Sequence, residues 1–114
     1  MYEKEKIDSD KWNTYLKSCT SMNRGRLIQV QNRIQEKVYD LTKNDIPFQR
    51  ISKQSSRNCK RITIHFGNKQ VDHRFIIESP VEIWHEYNYE GQTMAIEILN
   101  KKYDKAIIIF KSYF

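Results

Sequence analysis

The stretch VEIWHEYNYEGQTMAIEILNKKYDKAIIIF, residues 81–110, sets the fold class of this chain. From Val81 to Tyr87 the side chains alternate, which places Val81, Ile83, His85 and Tyr87 on one face of a strand and Glu82, Trp84 and Glu86 on the other. Glu90-Gly91 then closes a hairpin onto Met94–Leu99, and Asn100 to Asp104 turns the chain into Ala106–Phe110. The result is an antiparallel meander. Its last strand is apolar on both faces, which suits a central strand or one covered by a helix.

Working towards the N-terminus, Arg61–Phe66 alternates strictly, with Ile62, Ile64 and Phe66 on one face, and Gly67-Asn68 supplies a turn. His73–Glu78 reads as another strand, and Ser79-Pro80 as a break or an edge. Leu27, Ile28 and Val30 mix with Gln29 and Gln31 in a strand pattern. Lys37–Leu41 reads as a second strand, with a short helical turn as its competitor. Asn44-Asp45-Ile46-Pro47 reads as a turn, after which Phe48 and Ile51 re-enter the core and Lys53–Asn58 forms an exposed loop. Ahead of all this, Trp12, Tyr15, Leu16 and Cys19 follow the capping residues Asp8, Ser9 and Asp10 at the spacing of one helical face. Asn23 and Gly25 stand where a left-handed cap ends such a helix. The expected fold is therefore α+β in a single domain, 1–114. One helix, about 9–22, packs on a five- or six-stranded antiparallel sheet spanning about 26–113, flat or curled into a partly open barrel.

Composition agrees with one core. The chain has 114 residues, enough for one compact domain, and its 14 aromatics and Ile-rich runs supply the apolar bulk that a 30% charged composition dilutes. The longest apolar run, Ala106–Phe110, is far below the ~20 residues that span a bilayer. The opening MYEKEK alternates charge and lacks a secretory leader's apolar stretch, so a cytoplasmic location is expected. Cys19 and Cys59 lie far apart without CxxC spacing, which removes a metal or dithiol motif, and in a cytoplasmic protein two reduced, partly buried thiols are expected ahead of a disulfide between them.

Positive charge is unevenly placed. Residues 1–23 are neutral, residues 24–69 carry a net +8, and residues 70–114 carry a net −2. The densest part is Arg50, Lys53, Arg57, Lys60 and Arg61, interleaved with Gln49, Ser52, Gln54, Ser55 and Ser56. Such a segment attracts phosphates or acidic protein surfaces, although a solvated basic loop is the commoner explanation. Base stacking requires aromatics beside the cations, and only Phe48 is near them in sequence, so an acidic protein partner ranks ahead of nucleic acid.

Candidate catalytic chemistry is sparse. Strand parity sends His65 away from its strand's apolar face and His85 towards its own, so neither they nor His73 need converge on a metal. Glu82 and Glu86 share a face about 13 Å apart by strand rise, too far for a glycosidase carboxylate pair. Neither a P-loop, a GxSxG elbow nor a GxGxxG motif occurs, and Gly25, Gly67 and Gly91 are each explained by a turn. Trp84 stands out, because it falls on the more polar face between two glutamates, where it is either covered by a second layer or exposed as a contact anchor.

The order of these features resembles a small bacterial family of domains of unknown function, domain of unknown function 5335. The likeness is carried by Trp12 and Leu16 in a leading helix, Gly25 before the first strand, and Leu41–Ile51 with its Ile46-Pro47-Phe48. It continues in Asp72-His73, Pro80-Val81-Glu82-Ile83-Trp84 and the hairpin Gly91. It runs over nearly the whole chain and implies this order of elements, without an activity. The functional expectation is a non-catalytic protein-interaction module with no cofactor, metal or membrane partner. It would bind through the basic segment or the Trp84 face, with a nucleic-acid binder using residues 50–61 as the alternative.

Overall fold

The computed structural model describes residues 2–57, 59–68, 70 and 72–111. Among these residues nine strands and one α-helix follow in the order β1 (Tyr2–Ile7), α1 (Trp12–Asn23), β2 (Leu27–Ile34), β3 (Lys37–Asp40), β4 (Ile46–Ser56), β5 (Cys59–Gly67), β6 (Asp72–Glu78), β7 (Pro80–Asn88), β8 (Thr93–Asn100) and β9 (Lys105–Phe110). A 3₁₀ turn, Ser9–Lys11, leads into α1. All pairings are antiparallel, and the strands run β1-β7-β8-β9-β2-β4-β5-β6, with β3 paired to β2 beside this path.

The expected meander β7-β8-β9 is present, and β9 is central, between β8 and β2. A second meander, β4-β5-β6, lies across β2 from it. The sheet does not close into a barrel, since β1 and β6 end the path as separate edges.

Three expectations about which segments are strands are corrected. The sheet has nine strands rather than five or six, and one of them precedes the helix. The sequence of β1, YEKEKI, has too few apolar side chains to show a buried face. It is an edge strand whose Lys6 pairs with Glu82 of the adjacent β7 and whose Lys4 reaches across β7 to Glu97 of β8, the usual charged dress of a free edge. Second, Ile46-Pro47 opens β4 rather than ending a turn. Pro47 sits opposite Leu27 near the start of the strand, where its missing N–H costs little. Third, the segment after Ile51 is strand up to Ser56, paired from Ser52↔Thr63 to Ser56↔Cys59, and not a loop. Its side chains are too polar to betray a strand, yet its backbone is satisfied by β5.

The buried face is built from Ile28, Val30, Phe48, Ile51, Ile62, Ile64, Phe66, Ile77, Ile83, Ile96, Ile98, Ile108 and Phe110, drawn from both meanders into one core. Helix α1 adds Trp12, Leu16 and Cys19. It lies between the two halves of the sheet. On one side the Trp12 indole N–H donates to Ile7 O (3.0 Å) and Tyr15 meets His85 edge-on, while on the other Thr20 exchanges hydrogen bonds with the Ile51 backbone. Arg26, only 5% exposed, ties the helix end to β8 and to the segment after β9. Its guanidinium donates to Asn23 Oδ1, Thr93 O and Lys111 O at 2.7–3.2 Å and lies over the Phe110 ring. A buried cation satisfied this fully holds three segments in one geometry.

A β-bulge between Pro80 and Glu82 shifts the parity of β7, so Val81 is exposed whereas Ile83 is buried; they do not share a face as alternation suggested. Cys19 is a buried free thiol and Cys59 a half-buried one.

Candidate functional site

The structure sends the five basic residues to three places. Arg50 and Arg61 fall on the outer face of the β4-β5-β6 meander. Arg50 stands opposite His65, which is opposite Arg74, and Arg61 pairs with Glu78 at 3.4 Å. Lys53 turns to the other face, its ammonium 5.8 Å from the centroid of the Trp12 ring. Arg57 and Lys60 reach the end of the β4–β5 hairpin, where a residue remote in sequence, Lys101 of the β8–β9 turn, joins them. Phe48, the one aromatic near these cations in sequence, is fully buried.

Arg57, Lys60 and Lys101 surround a cleft of about 290 Å³ completed by Ser56, Cys59, Ser79, Pro80 and Val81. No acidic side chain occurs among the described residues lining it. Its frame is Ser79, the single residue between β6 and β7, strands that lie in different halves of the sheet. The Ser79 N–H donates to Lys60 O and its carbonyl accepts from Lys101 N–H, both at 2.9 Å. Making this corner in one residue forces Ser79 to φ 51°, a left-handed conformation that non-glycine residues rarely adopt. One strained residue therefore fastens both cation-bearing hairpins.

On the opposite half of the sheet, the outer face of β1, β7, β8, β9 and β2 holds a second concavity of about 460 Å³. Glu97 sits in it almost fully buried, with Lys4 Nζ at 2.8 Å from one carboxylate oxygen and Lys105 Nζ at 2.9 Å from the other. Burial would raise the Glu97 pKa, but the hydrogen bonds from Lys4 and Lys105 outweigh it and hold the carboxyl below its usual range. Glu86, beside it, is pushed up by burial and by the Glu97 charge. Trp84 lies at the border of this face, half-buried, its indole N–H donating to Glu82 Oε1 (2.9 Å) and its ring beneath Lys4 at 5.3 Å.

The histidines do not converge. His65 is lowered by burial and by the neighbouring Arg50, and lies 3.9 Å from Asp72. His73 stacks on Phe66, and His85 is lowered by burial, bonds Thr93 and sits between Tyr15 and Tyr87. Among the described residues no group of three or more His, Cys, Asp or Glu is placed to hold a metal ion. Burial pushes the Cys19 thiol up to about 12, so it is protonated at neutral pH and unsuited to nucleophilic attack. Among the described residues no helix is long and apolar enough to cross a membrane.

Sequence reasoning missed Lys101, Ser79, Lys4, Glu97 and Lys105. The Lys101-Lys102 pair in a predicted turn was the available signal for the first; the others are ordinary members of alternating segments until the strand order sets them side by side. Comparison with protein-family models, with curated proteins and with solved structures gives no match.

Proposed function

We propose that the protein is a non-catalytic, cytoplasmic interaction module that docks an acidic segment of a partner protein in the Ser79 cleft. On this reading it belongs with the bacterial domain family that its sequence resembles. The observation that supports it is the convergence of Arg57, Lys60 and Lys101 on one concavity without a lining carboxylate. Like charges repel one another, and an anionic partner relieves that repulsion while its approach is accelerated by the long-range field. The hydroxyls of Ser56 and Ser79 add neutral donors, and the exposed Val81 beside Pro80 offers apolar contact at the rim.

Nucleic acid is the second reading, favoured by one observation. Tyr103 is 71% exposed in the turn that carries Lys101 and Lys102, which supplies an aromatic beside the cations for base stacking.

One binding experiment separates the two. A fluorescent Glu-rich decapeptide and a single-stranded oligonucleotide of equal charge are titrated at low salt against the wild type and against the variant R57A/K60A/K101A. Saturable binding of the peptide, weakened at least tenfold in the folded triple variant, is the expected result. Preference for the oligonucleotide, with loss on Tyr103→Ala, would establish the second reading. Binding of neither probe, or equal binding by the variant, would refute the cleft as the site.

A further inference from the structure

The concavity on the outer face of the β1-β7-β8-β9-β2 half is independent of the Ser79 cleft and is built differently. Its floor is apolar and comes from Ala95, Ile107 and Ile109, which the register places side by side on β8 and β9. The small Ala95 stands between Glu86 on β7 and Ile109 on β9, so side-chain bulk is missing from this part of the lining. Around this floor stand Lys4, Lys105, Arg33 and Gln31. A volume of about 460 Å³ lies in the range of small-molecule sites, and apolar walls with a few convergent polar groups are their usual lining.

Glu97 explains why the cations are where they are. One carboxylate holds two ammonium groups, one on each oxygen, and so fixes Lys4 of β1 and Lys105 of β9 on either side of itself. An ammonium has three N–H donors, and the bond to Glu97 uses one. The two heads, with side chains 42% and 31% exposed, therefore present further donors to the pocket from fixed positions. A surface lysine normally loses considerable rotamer freedom on capturing a ligand, and here that freedom is already lost. Charge selects the ligand's sign. Lys4, Lys105 and Arg33 face Glu97 and Glu86, so the lining is net positive even with both carboxylates ionised.

We propose that this pocket binds a small organic carboxylate, its head on the N–H donors of Lys4 and Lys105 that Glu97 leaves unused and its short apolar body on Ala95, Ile107 and Ile109, with Glu97 as the positioning residue for both lysines.

The test uses methyl-labelled protein and three probes of one size: hexanoate, hexanol and hexylammonium. Hexanoate is expected to give saturable shifts confined to the methyls of Met94, Ala95, Ile107 and Ile109, with at least tenfold weaker effects from the neutral and cationic probes. Lys4→Met and Lys105→Met keep the apolar stems, and each should weaken hexanoate at least fivefold while leaving the remaining methyl spectrum folded. Shifts that fail to saturate, that spread over the whole spectrum, or that hexylammonium reproduces would overturn the proposal. Undiminished hexanoate binding by both lysine variants would overturn it as well. The wild-type comparison of the three probes stands by itself if a variant fails to fold.

Discussion

Replacing Glu97 by glutamine tests the electrostatics of the sheet most directly. The substitution keeps shape and removes charge, leaving Lys4 and Lys105 without their common partner. Breaking a fully buried pair costs about 3–5 kcal/mol because the surviving charge is stranded. Here the survivors are 42% and 31% exposed and can turn to water, so the expected cost at neutral pH is smaller, about 1–2 kcal/mol. In a domain of this size that lowers Tm by roughly 3–10 °C.

The pH dependence supplies the sharper criterion. Glu97 has a lowered pKa in the folded protein, so its stabilisation is fully present above the unfolded value of about 4.3 and is lost as pH falls through the folded value. Glu86, whose folded pKa is raised, works in the opposite sense: its contribution is present below its unfolded value and is lost as pH rises through the folded one. The comparison is therefore made between Glu86→Gln and the double variant E86Q/E97Q, by urea denaturation from pH 3 to pH 8. The gap should be constant from pH 8 to about pH 5 and shrink in acid. A gap that persists unchanged at pH 3, or no gap at pH 7, would falsify the assignment of Glu97 as an ionised clamp.

Two further outcomes are expected. Arg26→Met should destabilise the protein by about 3 kcal/mol, because it strands Thr93 O, Lys111 O and Asn23 Oδ1 at once; denaturant midpoints at constant m-value check this, and a loss under 1 kcal/mol would contradict the hub role. A thiol reagent at pH 7.5 should label the half-buried Cys59 quickly and the buried Cys19 only on unfolding, so peptide mapping that finds Cys19 labelled at the same rate would contradict its burial and raised pKa.

The amino-acid sequence by itself determined the elements whose apolar and polar residues alternate or recur with a clear period. The meander of Val81–Phe110, the strand Arg61–Phe66 and the helix face of Trp12, Leu16 and Cys19 were legible because each buries a regular set of side chains. Where both faces of a strand are polar, as in Tyr2–Ile7 and Ser52–Ser56, periodicity carries no signal, and only pairing with β7 and β5 makes them strands. The bulge that turns Val81 outward is equally silent, since one unpaired residue reverses parity without leaving a mark in composition.

Both candidate sites belong to the tertiary structure. The sequence located the excess of positive charge between residues 24 and 69, but the chain divides its densest part, Arg50, Lys53, Arg57, Lys60 and Arg61, among two faces and a hairpin end. Strand order then supplies Lys101 to Arg57 and Lys60, and brings Lys4 and Lys105 to the same carboxylate from segments about 100 residues apart. Side-chain period is a local property that a sequence displays, whereas the neighbour across a strand is fixed by the register and order of the whole sheet.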